Sequence, residues 1–258
     1  NNGIKECMVS KYITRWIKSY AKENNRESLV VGISGGIDSS VVSTLCAMTE
    51  MPVYALTMPI RQIDSQNDLS LKQGGWLVKQ FPNVSHCIIP LDTVYNNFRN
   101  SIGSPFDNEL AFANSKSRLR MVALHQVSGS KKGIVVGTGN KIEDFGVGFY
   151  TKYGDGGVDI SPIADLYKSE VYKLAKELDI LQEIIDAPPT DGLWEDGRTD
   201  QDQLGGLTYD QMERAMTLDE MDAIPTGSDT ELLQNYKNIR QQNLHKMKPI
   251  PIYKKEPL

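Results

Sequence analysis

The sequence predicts an α/β fold: a doubly wound, mainly parallel sheet flanked by helices, with residues 1–258 forming a single domain. Three observations predict it. Four short, β-branched apolar runs alternate with segments of helical periodicity. The runs show little polar alternation, as expected of strands covered on both faces. The intervals between them are too long for hairpins, so crossover connections and parallel pairing are required. With 258 residues, 40% hydrophobic and 24% charged, the chain is long enough for one large core or two small ones, which excludes global disorder.

The elements follow in order. Ile4, Val9, Tyr12, Ile13, Trp16, Ile17 and Tyr20 recur at three- and four-residue spacing and predict an amphipathic helix over 4–20. The runs SLVVGI (28–33), VYALTM (53–58), HCIIPL (86–91) and GIVVG (133–137) read as buried strands, with helices expected over 39–48, 65–80 and 109–127. Beyond Asp159 the pattern turns helical, over 168–178, 181–185, 209–216 and 231–243, and these helices are expected to flank the sheet rather than to form a second domain. Residues 188–206 are rich in Pro, Gly and Asp. They read as too polar to pack and long enough to be a functional lid or a mobile loop. There is no internal repeat and no low-complexity tract.

Charge and cysteine content narrow the function. Lys and Arg total 28 against 33 Asp and Glu, a formal net charge of −5, so there is no generalised attraction to nucleic acid or to an anionic membrane. An anionic ligand must therefore meet a local cluster of cations. Cys7, Cys46 and Cys87 are odd in number and widely spaced, without metal-ligand spacing, and read as ordinary thiols of a reducing compartment. No apolar run approaches the 18 or more residues of a membrane helix. Asn1, Asn2 and Gly3 show neither an initiator Met nor a signal-like pattern, so a trimmed, cytoplasmic protein is expected.

The most informative stretch is Gly32-Ile33-Ser34-Gly35-Gly36-Ile37-Asp38-Ser39-Ser40, directly after a strand and directly before a helix. Gly35 and Gly36 permit close backbone approach, so successive N–H groups can face an anion, and the helix starting near Asp38 and Ser39 adds its positive end. A phosphate fits there. A bare Gly-Gly turn would read as strand-to-helix punctuation capped by Ser or Asp, but the full string is more restrictive. It is neither a Walker loop nor a GxGxxG fingerprint, and it contains no Lys. Asp38 beside phosphates calls for an intervening hard cation such as Mg²⁺.

Ser34-Gly35-Gly36-Ile37-Asp38-Ser39 resembles the SGGxDS pyrophosphate-binding loop of the N-type ATP pyrophosphatases, which cleave ATP between the α and β phosphates. That resemblance implies the Rossmann-like adenine nucleotide alpha hydrolase type of fold. A second stretch, residues 137–168, follows the fourth strand and carries Thr138, Glu143, Lys152 and Lys168 with Gly154, Gly156 and Gly157. On its own it reads as a Gly-rich loop with solvated charges at a sheet's ligand-binding end. It resembles the GTxNxxE, FTKYGD and DxxPIxxLxK segments of the NAD synthetase family, with the interval from Glu143 to Lys152 one residue longer than in bacterial members. Lys116 to Met121 resembles the family's KARxRM helix with Ser117 in place of Ala. Pro189-Thr190 and His245-Lys246 resemble its PT and HK elements, so the resemblance runs from about Ile4 to Lys246.

The resemblance implies an ammonia-dependent ligase that adenylates the carboxylate of deamido-NAD with ATP, releases pyrophosphate, and then exchanges AMP for ammonia. Gly32, Ile33, Ser34, Gly35, Gly36, Ile37, Asp38, Ser39, Thr138, Lys168 and Thr190 would contact ATP, with Asp38, Lys168 and Glu143 catalytic and Asp38 and Glu143 holding Mg²⁺. Taken alone, Lys168 reads as a helix-surface lysine. Arg118, Lys152, Asp159, His245 and Lys246 would contact deamido-NAD, with Arg120 a close second to Arg118, at a homodimer interface for which helix 109–127 is a candidate. Only about 27 residues precede the first strand, too few for a glutaminase domain, so free ammonia is the expected nitrogen donor, unless a separate chain or a removed segment supplies it. No nucleic-acid or membrane partner is expected. Three alternatives remain: another adenylating ATP pyrophosphatase, such as a transfer-RNA thiolase or lysidine synthetase; a nucleotide-binding sensor without turnover; and a flavodoxin-like binding domain with a coincidental Gly-Gly turn.

Overall fold

A computed structural model describes residues 2–61 and 63–255, with side chains from residue 8 onward, so the Cys7 thiol and the Ile4 side chain lie outside the described residues. In chain order the elements are α1 (Asn2–Glu23), β1 (Ser28–Gly32), α2 (Ile37–Ala47), β2 (Val53–Thr57), α3 (Asp64–Gln80), β3 (Val84–Ile88) and α4 (Asp92–Ile102). A 3-10 turn (Ser104–Phe106) precedes α5 (Glu109–Ser130) and β4 (Gly133–Val135), and a π-helical turn (Ile142–Gly146) follows. The chain ends with α6 (Lys168–Glu177), α7 (Gln182–Asp186), α8 (Asp200–Gln203), α9 (Tyr209–Glu220) and α10 (Ser228–Met247).

The four strands form one parallel sheet in the order β3-β2-β1-β4. Successive strand residues face opposite layers, which explains why the runs lack polar alternation. Leu29, Val31, Val53 and Ala55 join Ile17 of α1, Val41 of α2, Leu77 of α3 and Val171 of α6 in one core cluster. Val30, Leu56 and Val135 face the other way, onto Tyr95 of α4 and Phe112, Met121 and Leu124 of α5. Leu29 is fully buried, and truncating it to Ala would cost about 2–5 kcal/mol.

The chain steps outward from β1 to β2 to β3, then returns across the sheet to place β4 on the other side of β1. The chain therefore reverses its direction across the sheet between the adjacent strands β1 and β4, and the crevice outside their carboxyl ends is where a doubly wound sheet admits a ligand.

The elements differ from the sequence expectation in three respects. β3 begins at Val84 and ends at Ile88, because Pro90 cannot donate to the ladder and Leu91 already stands at the N-cap of α4. The helix α4 has no counterpart in the sequence reading, since its apolar stripe is only Tyr95, Phe98 and Ile102 among Asn and Arg. Of the late helices, α6 packs into the first layer. In contrast, α9 and α10 bury Met212, Met216, Leu233 and Tyr236 against each other and against Ile142 of the π-turn. Among the described residues no helix is long and apolar enough to cross a membrane.

Candidate active site

The loop leaving β1 is shaped by one glycine above all. Gly35 has φ +88°, and a Cβ there would fall 2.7 Å from the Gln66 carbonyl oxygen and 2.8 Å from the Ser70 nitrogen, so the close approach of α3 requires glycine. The helix begins at Ile37, ahead of the expected start near Asp38 and Ser39. Its N-cap is Gly36 in an extended conformation, and no side chain caps it. The serines fold the loop onto itself instead: Ser34 N donates to Ser39 Oγ (3.1 Å), and Ser40 Oγ donates to the Gly36 carbonyl (2.8 Å). That leaves the first-turn N–H groups of α2 for an anion.

The opposite side of the crevice comes from the chain after β4. Asn140 is fully buried and joins the two expected metal carboxylates: Nδ2 donates to Asp38 Oδ2 (3.2 Å) and its backbone N–H to Glu143 Oε2 (3.1 Å). Its Oδ1 accepts from the Ile142 and Glu143 nitrogens, starting the π-turn closed by Val147 N donating to the Ile142 carbonyl (2.9 Å).

Lys168, the first residue of α6, donates from Nζ to Asp38 Oδ2 at 2.7 Å, and its ammonium lies 4.7 Å from the centroid of the Tyr209 ring. It is 5% exposed, which excludes the surface reading. Burial opposes its charge, but Asp38 and Glu143 outweigh it and raise the ammonium above its ordinary range. Burial, reinforced by Asp38, pushes the Glu143 carboxyl well up. Tyr209 Oη stands 2.9 Å from Glu143 Oε1 and 2.8 Å from Asp200 Oδ2, and burial together with those carboxylates pushes its hydroxyl well up. Asp200 is buried, which takes it to about 6, against the pull of Tyr209 and Lys168.

Two shielded carboxylate oxygens, Asp38 Oδ1 and Asp200 Oδ1, have no hydrogen-bond partner. A buried, unsatisfied carboxylate oxygen suits a cation ligand, and an all-oxygen donor set suits Mg²⁺ rather than Zn²⁺. Among the described residues no group of three or more His, Cys, Asp or Glu closes around a metal by itself. Phosphate and water would have to complete the shell.

These groups line a cleft of about 450 Å³, with the Gly32–Ser39 loop on one side, Thr138, Glu143 and Lys168 on a second, and Thr190 and Asp200 on a third. Thr190 Oγ1 donates to the Arg198 carbonyl at 2.9 Å. The stretch 188–206 packs, contrary to the expectation from its composition. Asp200 N donates to the Pro189 carbonyl (2.9 Å), Trp194 Nε1 to Gln203 Oε1 (2.9 Å), and the buried Lys116 Nζ to the Leu193 carbonyl (3.0 Å). Several of its polar groups satisfy one another, so polarity does not keep it in solvent.

The five residues expected at the dinucleotide do not line this cleft. Arg118 is exposed, its Nε on the Lys152 carbonyl (3.0 Å), while Tyr150 Oη donates to the Lys246 carbonyl (2.9 Å) beside the exposed His245. Arg118, Lys152 and Lys246 thus meet along one outer strip. Asp159 stands apart, its Oδ2 accepting from Val135 N (2.7 Å) at the end of β4. Arg120 reaches the cleft instead. Sequence reasoning missed Asn140, Tyr209 and Asp200. Asn140 had a local signal, three residues before Glu143, whereas Tyr209 and Asp200 had none outside the fold.

The chain matches the family model described as NAD synthase over residues 9–256. It is 34% identical to the NH(3)-dependent NAD(+) synthetase of Carboxydothermus hydrogenoformans over 242 residues, 93% of each chain. Among solved structures it is similar to NMN synthetase from Francisella tularensis, with TM-score 0.84 and 30% identity over 96% of this chain and 98% of that one. It is also similar to the NH3-dependent NAD synthetase of Campylobacter jejuni, with TM-score 0.77 and 28% identity over 96% and 99%.

Proposed function

Because the chain belongs to the NAD synthase family, we propose that it forms NAD from deamido-NAD, ATP and ammonia, releasing AMP and pyrophosphate. The observation that carries this reading is the joining of Asp38, Lys168 and Glu143 directly beside an uncapped helix N-terminus in one cleft.

The chemistry follows from the substrate. A carboxylate oxygen is a poor leaving group, so the nicotinate carboxylate must first attack the α-phosphorus of ATP, breaking the bond to the β-phosphate and expelling pyrophosphate. Ammonia then attacks the carboxyl carbon and loses a proton, and AMP leaves with the carboxylate oxygen. The N–H groups of the loop and of α2 hold the departing pyrophosphate, and the Lys168 ammonium neutralises the charge that gathers on it. Asp38 and Glu143 would hold Mg²⁺, which would supply positive charge to offset that of the phosphates. Asn140 and Tyr209 fix both carboxylates. The packed 188–206 stretch, with Thr190 on its inner side, excludes water from an adenylate that water would hydrolyse.

Arg118, Lys152, His245 and Lys246 serve the dinucleotide from the outer strip, in a site completed by a second copy of the chain. The helix α5, on which Leu110 and Val122 are exposed, is the element against which that copy packs. Residues 1–258 act as one domain with ammonia as the nitrogen donor.

A second reading is favoured by the likeness to an NMN synthetase, that the amidated carboxylate belongs to nicotinate mononucleotide. One assay decides, with ATP, Mg²⁺ and ammonium supplied against deamido-NAD or the mononucleotide, and glutamine replacing ammonium in parallel. Equal yields of NAD, AMP and pyrophosphate from deamido-NAD and ammonium support the first reading. A higher kcat/KM for the mononucleotide replaces it with the second, and AMP formation with neither substrate overturns both.

A further inference from the structure

The helix α5 presents Ser117, Arg120, Met121 and Leu124 to the cleft, three and four residues apart and therefore on one stripe. At one end of the stripe Leu124 and Met58 close on Gly32, where a Cβ would lie 3.7 Å from Leu124 Cδ1 and 3.3 Å from Met58 Cε. This floor is apolar and fits a flat base. At the other end Ser117 Oγ donates to Asp155 Oδ1 at 3.0 Å. Arg120 stands between the two ends.

The guanidinium of Arg120 makes one hydrogen bond to the described protein, from Nε to the Met58 carbonyl (2.9 Å). Its Nη2 is shielded and has no partner. Asp191, Asp155 and Asp92 act on its charge through space. Burial lowers the group to about 10, so it stays charged at neutral pH. A shielded, unpaired guanidinium N–H in a cleft is costly unless a ligand satisfies it, and its planar fork matches two oxygens of one phosphoryl group. The phosphate loop and α2 lie on the other layer of the sheet, so Arg120 and the loop address different oxygens of the nucleotide.

We propose that Arg120 holds the α-phosphoryl group of the adenylated intermediate, and hence of AMP, after pyrophosphate has left the loop. The assignment rests on the adenylating reading above and goes beyond it by naming the cation that retains the reactive anhydride. The loop, α2 and Lys168 bind what departs, and Arg120 binds what stays.

The test is equilibrium binding of AMP, and separately of Mg²⁺-pyrophosphate, to the full chain and to R120Q, R120K, D191N and R118Q. The expected result for R120Q is a loss of AMP affinity of about tenfold or more with pyrophosphate affinity unchanged, and a smaller AMP loss in R120K. R118Q and D191N keep AMP affinity. Unchanged AMP affinity in R120Q overturns the assignment, as does an equal loss for AMP and pyrophosphate or no AMP binding by the unaltered chain. A loss in R118Q instead moves the AMP to the dinucleotide strip. If D191N reproduces the loss and speeds proteolysis within 188–206, Arg120 merely holds that segment and the proposal fails. AMP binding through Arg120 in a chain that amidates neither substrate would refute the proposed function alone.

Discussion

Lys168 Nζ donates to Asp38 Oδ2 at 2.7 Å, joining the first turns of two helices 130 residues apart. A lysine at the start of a helix faces the positive end of the dipole and is unfavourable there on local grounds. The Asp38 carboxylate supplies the compensation, and a local rule broken with a distant partner marks a functional position.

The first prediction tests that pair. K168M leaves a mostly buried carboxylate unpaired and is expected to lower unfolding stability by about 3–5 kcal/mol in denaturant titration. Its kcat is expected to fall by about 10²-fold or more. The double variant K168M/D38N should regain stability without regaining turnover. Equal loss of stability in the single and double variants would show the pair to be energetically idle.

The parallel sheet was legible in the sequence because strands buried on both faces leave unbroken apolar runs, and the Gly32–Ser39 loop because a strand-to-helix string of that kind carries its own geometry. Thr138, Glu143 and Lys168 could be reached through family segments. What stayed hidden depends on long-range meeting. Tyr209 reaches Glu143, and through the same hydroxyl meets Asp200 of α8, only because α9 and α10 pack on the π-turn rather than on the sheet. Arg118 and Arg120 are two residues apart, and only their angular positions on α5 send one to the outer strip and the other to the cleft.

Y209F removes the hydroxyl shared by Glu143 and Asp200. The fold keeps the ring under Lys168, but Glu143, proposed above to hold Mg²⁺, loses an orienting partner. Affinity for Mn²⁺, used as a spectroscopic substitute and titrated in the presence of ATP, is expected to fall about tenfold. Unchanged affinity would place the metal away from Glu143.

G35A forces φ +88° on a residue with a Cβ and drives that Cβ into the backbone of α3. The expected cost is about 1–3 kcal/mol in unfolding free energy, with a raised KM for ATP. Wild-type KM and melting temperature would mean that the loop relaxes without using Gly35.

Asp144 packs so closely beneath Gly139 that a Cβ there would strike its carboxyl group. Burial, with Asp155 and Asp38 nearby, raises Asp144 from its ordinary 3.8 to about 7. An acid raised on folding stabilises the fold fully below its unfolded pKa, and that contribution is lost as pH rises through about 7. The ligand-free protein is therefore expected to lose, from this group, on the order of 4 kcal/mol as pH rises from 4 to 8. D144N should remove that slope in melting curves recorded across the range, and an unaltered slope would assign it to other carboxyls.

The central claim is that a substrate carboxylate attacks the α-phosphorus of ATP in the cleft formed by Asp38, Glu143 and Lys168. Deamido-NAD labelled with ¹⁸O in its carboxylate, turned over with ATP and ammonium, tests this by mass spectrometry of the products. Transfer of one labelled oxygen to AMP, with none in pyrophosphate or inorganic phosphate, is the predicted result. Label in inorganic phosphate, or unlabelled AMP accompanying labelled NAD, would contradict it.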